Sequence, residues 1–380
     1  MKILHIITGL KLGGAESFLV KLLKNMNSRC FENVVVSLTD NREMAHSINA
    51  LGIEVQVLDF KRSIPDPRVI KTLIKIIKIE RPDLVQTWMY HSDLAGGLAA
   101  KYVSRKLALV WNIRTSYSSS LSPNNKGLVW CCALASRFLP NKIIANSHAG
   151  KHSHLQIGYP LKKMVVIENG FDVEYFKPDA DARSRIRAKL AIPPDAFSIG
   201  MIANYLPEKD HQTFFKATSI IHDKNPDVHF ILVGRNCDID NPLVRSIISS
   251  KIPSNRFHFL GVRSDVNQIM ASLDLGTLCS LREGFPNVLG ETMSCGVPFV
   301  ATDVGDCADL IGDTGLIVPP HNPAALADAW YKITQMTGEE RNLIGHAARQ
   351  RIESRFGLQQ VVGRYQELYA SLAPEKNSLQ

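Results

Sequence analysis

Short apolar runs alternate with amphipathic stretches along nearly the whole chain, and this alternation constrains the fold more than any other feature. Lys2–Ile7, Asn33–Leu38, Val55–Leu58, Leu84–Gln86, Leu107–Trp111, Lys142–Ala145 and Met164–Ile167 read as buried strands. Between them, Ala15–Met26, Arg68–Ile79, Asp93–Val103, Lys126–Phe138 and Ala149–Ile157 carry helical spacing. Parallel strands need a crossover of helix length, so this order predicts a parallel sheet with helices on both faces. The rhythm pauses at the turn Asn169-Gly170-Phe171-Asp172, at Lys177-Pro178-Asp179 and at Ile192-Pro193-Pro194-Asp195. It resumes with Ser198–Ile202, His229–Val233, His258–Leu260, Leu275–Leu278, Pro298–Ala301 and Leu316–Val318. Two Rossmann-like α/β domains meeting near Gly170 are expected. With both sets of strand ends facing each other, one cleft would be lined by the loops that follow strands.

A chain of 380 residues exceeds one small core. No stretch approaches the 18 consecutive apolar residues of a membrane span. MKILHIITGL has the charge and apolar run of a signal peptide, but the run is short and no small-residue cleavage site follows, so it reads as a first strand. The seven cysteines form no C-x-x-C, and the only close pair, Cys131 and Cys132, is adjacent. Reduced thiols and a cytoplasmic location are expected. Net charge is +8, unevenly spread: residues 1–170 hold 23 Lys+Arg against 11 Asp+Glu, and residues 171–380 hold 21 against 25. The basic half suits an anionic lipid surface or a phosphorylated acceptor. It suits nucleic acid less, because no zinc finger, RNP motif or basic-aromatic ladder is present.

Four strand-end segments carry chemistry. Thr8-Gly9-Leu10-Lys11-Leu12-Gly13-Gly14-Ala15-Glu16 leads from the first strand into a helix, where glycines allow positive φ or close approach and a helix N-terminus suits phosphate. Trp88-Met89-Tyr90-His91-Ser92-Asp93 offers His91 for charge or hydroxyl contact, or is a loop in which Ser92 or Asp93 caps a helix. Tyr205-Leu206-Pro207-Glu208-Lys209-Asp210-His211 offers Lys209 as a point cation. Arg282 to Glu291 contains Gly284 and Pro286 as breakers, a helix starting near Asn287, Glu283 on the preceding loop and Glu291 one turn in. Lys71, Lys75 and Lys78, interleaved with Ile70, Ile74 and Ile77, make a basic amphipathic helix that packs on the sheet or attaches to anionic membrane.

Taken together, the chain resembles the family 4 glycosyltransferases, retaining enzymes of the GT-B fold. The pieces are Gly13-Gly14-Ala15-Glu16, Gln86 to His91, Ile167 to Asp172, Pro207 to His211, Leu232-Val233-Gly234, Glu283 to Glu291 in the family's Glu, seven residues, Glu pattern, Gly296-Val297-Pro298 and Asp303-Val304-Gly305. The resemblance implies that Glu291 binds the donor's ribose. It implies that Glu283 and the amides from Phe285 through Pro286 and Asn287 to Val288 hold the transferred sugar and diphosphate. Lys209 would stabilise the leaving group, Gly13 and Gly14 would approach the donor from the N-terminal side, and His91 would lie near the reacting sugar.

The resemblance further implies that a final helix, about residues 358–380, crosses back to the domain of residues 1–170 on Val361, Tyr365, Leu368, Tyr369 and Leu372. That leaves 171–357 as the nucleotide-sugar domain, and the halves would hinge near Gly170 to close on the donor. No metal or other cofactor is expected; Asp238-Ile239-Asp240 is a D-x-D in a polar loop without supporting ligands. One departure stands out. Many members place an arginine five residues before the lysine, where this chain has Asn204, so Arg114, Arg263 or backbone amides would have to compensate. The expected activity is retaining transfer from a UDP-linked donor to a cell-surface glycan or lipid-linked acceptor, with peripheral membrane contact at the inner face. A nucleotide-sugar epimerase of the same fold and a catalytically silent glycan- or nucleotide-binding protein are the alternatives.

Overall fold

The computed structural model describes residues 1–60, 67–117 and 123–373. The chain divides into two compact units, Met1–Gly170 together with the segment from Gln359, and Phe171–Leu358. The polar tail after residue 373 lies outside the described residues.

The N-terminal unit holds seven parallel strands: β1 (Lys2–Ile7), β2 (Glu32–Ser37), β3 (Val55–Val57), β4 (Leu84–Trp88), β5 (Ala108–Ile113), β6 (Lys142–Ala145) and β7 (Met164–Val166). Their order is β3-β2-β1-β4-β5-β6-β7, so the winding reverses between β1 and β4. The segment that mimics a signal peptide is the strand at that reversal, with Ile3 opposite Asn33 on one side and Leu84 on the other. Two strands run further than hydropathy suggests. β4 continues through Thr87 to Trp88, and β5 through Asn112 to Ile113. A hydropathy reading stops at the first polar residue. These polar groups are buried but paired: Thr87 donates to Asp93, and Asn112 Nδ2 donates to Tyr365 Oη at 3.1 Å.

Tyr365 belongs to the terminal helix Leu358–Leu372, which buries Val361, Val362, Tyr365 and Tyr369 on this unit. Tyr365 packs on Phe18, Tyr369 packs on Phe31, and the Tyr369 hydroxyl donates to Gln86. The basic helix Pro67–Glu80 uses its apolar face inside the fold. Leu73 and Ile77 are buried in the core, Ile70 and Ile74 pack against it, and Lys71, Lys75 and Lys78 are left in solvent.

The second unit holds six parallel strands: β8 (Ser198–Ile202), β9 (His229–Val233), β10 (Phe257–Phe259), β11 (Leu275–Leu278), β12 (Phe299–Thr302) and β13 (Gly315–Val318). The order is β10-β9-β8-β11-β12-β13, with the reversal between β8 and β11. Phe214, Phe215, Phe230 and Trp330 fill one face of this sheet. Phe171 stacks on Phe285 and pairs with Gly357, so the two ends of this unit lie side by side.

Candidate active site

In an open parallel sheet, ligands bind beyond the strand carboxyl ends where the winding reverses, because the two flanking loops diverge there and leave a crevice. In the second unit that point lies between β8, which leads into Lys209, and β11, which leads into Glu283. These residues are 74 positions apart, yet Lys209 Nζ donates to Glu283 Oε1 at 2.5 Å. Both side chains are mostly shielded, at 24% and 12% exposure. Ser280 Oγ donates to the same Glu283 oxygen at 2.6 Å. The loops are also joined through the backbone, Leu281 N–H to Glu208 C=O at 2.7 Å. Asp210, next to Lys209, takes a left-handed conformation (φ 46°) and caps the helix His211–Lys224 through Thr213. A non-glycine residue held at positive φ beside an ion pair indicates a position determined by its surroundings.

The loop carrying Glu283 rests on Asp303-Val304-Gly305-Asp306. Asp306 N–H bonds Gly284 C=O at 3.1 Å, and Gly305 has φ +57°. A Cβ on Gly305 would lie 2.5 Å from the Glu283 carbonyl oxygen, so both conformation and space require glycine. The helix Asn287–Ser294 then begins after Pro286, with no side chain capping its first turn. The positive end of its dipole favours an anion. Pro286 has no N–H and ends the loop rather than donating, and the Phe285 ring is buried against Phe171, so only the backbone of Phe285 is available. Glu291 is half-buried one turn further on.

Asn204 lies two residues after β8 and uses its side chain structurally: Oδ1 accepts the Arg235 N–H at 2.8 Å, while Tyr205 N–H bonds Arg235 C=O at 2.9 Å. Arg235 is thereby fixed beside Asn204. It is exposed, and its guanidinium makes no hydrogen bond or ion pair among the described residues. The two arginines considered as substitutes are otherwise engaged. Arg114 is half-buried, lies over the Phe18 ring at 4.0 Å and bonds Tyr365 and Asn169, and Arg263 is paired with Asp265 at 2.6 Å. Sequence reasoning missed Arg235 because nothing in the string Gly234-Arg235-Asn236 shows that it adjoins Asn204. It also passed over His211, a buried ring packed on Tyr205 whose burial depresses its pKa to about 4.

The reversal in the N-terminal unit is of another kind. None of Gly9, Gly13 and Gly14 has positive φ; Gly13 is extended, and a Cβ on Gly14 would meet nothing within 4 Å. Open space at a helix start is therefore what Gly14 provides. Across the reversal, Met89 sits at φ 72°, and the helix Tyr90–Val103 starts immediately, placing His91 in its first turn. Ser92 and Asp93 do not cap this helix. They point into the unit, Ser92 Oγ lying 3.1 Å from Thr8 Oγ1 and Asp93 Oδ1 accepting from Thr87 at 2.5 Å. Burial pushes the Asp93 carboxyl well above its ordinary pKa, which disfavours its charged form.

The D-x-D pair has local duties. Asp238 accepts the Asn241 N–H at 3.0 Å, and the exposed Asp240 lies 3.8 Å from Arg245.

Comparison with known proteins agrees with this architecture. The family model described as Glycosyltransferase Family 4 matches residues 12–175, and that described as Glycosyl transferases group 1 matches 195–335. The N,N'-diacetylbacillosaminyl-diphospho-undecaprenol alpha-1,3-N-acetylgalactosaminyltransferase of Campylobacter jejuni is 26% identical, covering 93% of this chain and 94% of that one. The UDP-Gal:alpha-D-GlcNAc-diphosphoundecaprenol alpha-1,3-galactosyltransferase of Escherichia coli is 23% identical over 82% and 81%. The crystal structure of Anabaena Alr3699/HepE in complex with UDP superposes with a TM-score of 0.85 at 26% identity, covering 98% and 100%. Two consecutive family matches, one on each parallel-sheet unit, identify the chain as a member of the family 4 glycosyltransferases, with the GT-B fold.

Proposed function

We propose that the chain transfers a sugar, with retention at the anomeric carbon, from a UDP-linked donor to a lipid-linked or cell-surface glycan acceptor. The observation that carries this reading is the Lys209–Glu283 pair at the reversal of the second sheet. A lysine normally solvated is here held at a fixed point by Glu283, four residues before the helix Asn287–Ser294. Breaking the bond to phosphate leaves negative charge on the diphosphate. Donors already oriented towards that charge stabilise the transition state without reorganising. Lys209 and the amides of Asn287 and Val288 take this role, Glu283 holds Lys209 and the transferred sugar, and Glu291 binds the ribose. Arg235 supplies the second cation in place of the family arginine. Gly13 and Gly14 contact the donor, and His91 contacts the reacting sugar. The UDP complex of the Anabaena protein supports the choice of nucleotide, and the printed substrates of the two relatives support a lipid-linked acceptor at a membrane surface.

The test is incubation with UDP-, GDP- and ADP-sugars with and without a lipid-diphosphate-linked acceptor. A product formed only with acceptor, its anomeric configuration matching the donor by NMR, is expected. Donor conversion without acceptor would contradict transfer, and an inverted product would contradict retention. The charge is carried by side chains and amides, so EDTA should leave the rate unchanged; loss in EDTA restored by magnesium would contradict that.

A further inference from the structure

We infer that the outer face of the helix Pro123–Ser136, together with the turn Leu161–Lys163, docks on an anionic lipid bilayer. The inner side of this helix is ordinary: Leu128, Val129, Cys132 and Ala133 are buried in the N-terminal core. A surface helix then presents polar residues outward. This one presents Trp130 and Leu134, followed at the same four-residue spacing by Phe138, with 56%, 64% and 76% of their surfaces exposed. Lys163 Nζ donates to the carbonyls of Ser136 and Arg137 at 3.2 and 2.8 Å, which draws the neighbouring turn against the end of the helix. That turn carries a further exposed apolar side chain, Leu161, at 62%. Contiguous apolar surface of this kind on a folded unit marks an interaction site.

Charge selects the occupant. Arg137 and Lys162 are exposed at the Phe138 end of the stripe. The whole stretch of residues 94–167 contains ten Lys+Arg and no Asp or Glu. A second copy of the chain would set cation against cation here, with no acid in residues 94–167 to pair them. An anionic bilayer meets both features, accepting the apolar side chains at the headgroup boundary and the cations at the phosphates. Tryptophan suits that boundary, having an apolar ring and one N–H. The basic helix Pro67–Glu80 exposes Lys71, Lys75 and Lys78 with the single isoleucine Ile79, because Ile70, Ile74, Ile76 and Ile77 are used in the core. The surface deepens the reading above, which calls for an enzyme working on a lipid-linked acceptor, but its test uses neither donor nor acceptor.

The chain supplies its own probe. Of its four tryptophans, Trp88, Trp111 and Trp330 are fully buried, so a solvent-sensitive change in emission reports Trp130. The full chain is mixed at low salt with vesicles of phosphatidylcholine, or of phosphatidylcholine and phosphatidylglycerol, and followed by fluorescence and co-sedimentation. A blue shift and co-sedimentation confined to the phosphatidylglycerol vesicles are expected. Both should be lost in the double variant Leu134→Glu and Phe138→Glu, and binding should weaken about tenfold or more in Arg137→Gln with Lys162→Gln. These positions are exposed, so unchanged circular dichroism and UDP affinity confirm that the variants fold. Three results would overturn the inference: no binding to the anionic vesicles, equal binding by the Glu variants, or a wild-type dimer that the Glu variants split. Wild-type binding to vesicles but not to UDP would instead count against the proposed donor and leave this surface standing.

Discussion

The two sheet reversals have the same winding and different electrostatics. In the second unit the reversal is charged and stitched together: Lys209 meets Glu283, Ser280 holds the same carboxylate, and Glu208 and Leu281 join the two loops. In the N-terminal unit the reversal is held by hydroxyls and one buried carboxyl whose charged form burial disfavours. Thr8 meets Ser92, Thr87 meets Asp93, and the half-buried Arg114 is engaged by Phe18 and by Tyr365 of the terminal helix. Both carry one non-glycine residue at positive φ, Met89 and Asp210. Equal topology therefore does not imply equal chemistry. The charged reversal is built to receive developing phosphate charge, and the other to hold a helix start and an open glycine turn in place.

The comparison breaks most readily at the charged reversal. Lys209→Ala and Glu283→Ala should each lower turnover a hundredfold or more, on the order of 3 kcal/mol of transition-state stabilisation. Steady-state rates near wild type in both would remove the assignment.

Acid should act on both units. Burial depresses His5 and His154 in one, and His211 and His229 in the other, to about 4. Each ring stays neutral in the fold while the unfolded chain takes up protons below about pH 6.5. Stability is then full above that value, falls as pH drops towards 4, and levels off below it. At pH 5 a loss of about 2 kcal/mol or more is expected in urea titrations. A flat profile from pH 7 to 4.5 would contradict the burial of these rings.

Arg235→Ala sharpens the charged side: the donor KM should rise on the order of tenfold, about 1.4 kcal/mol, and adding Asn204→Arg should recover much of it. A KM unchanged by Arg235→Ala would leave the amides as the remaining partners. Smallest is the N-terminal side. Ser92→Ala should cost about 1 kcal/mol of stability in thermal denaturation without altering UDP affinity, and a change in affinity would mean that the network does more than hold the fold.

How much of this was legible beforehand follows from the range of each interaction. Local signals served well: the helix start at Asn287 is announced by Pro286, and the thirteen strands among the described residues lie where short apolar runs stand. Boundaries failed where a buried polar residue is paired by a distant partner, as Asn112 is by Tyr365, 253 positions away. The candidate lysine and glutamates were visible as strand-end residues, but the contact between Lys209 and Glu283 was not, since sheet order creates it. Arg114 looked available because its cover, Phe18 and Tyr365, comes from far along the chain. The spacing of Trp130, Leu134 and Phe138 is plain in the sequence, whereas their exposure depends on what packs beside the helix.

The central claim is that the reversal between β8 and β11 receives the nucleoside diphosphate, and a crystal structure of the full chain with UDP tests it most directly. The account predicts pyrophosphate density within hydrogen-bonding distance of Lys209 Nζ and the Asn287 and Val288 amides. Ordered UDP seated elsewhere, with the Lys209–Glu283 loops empty, would contradict it.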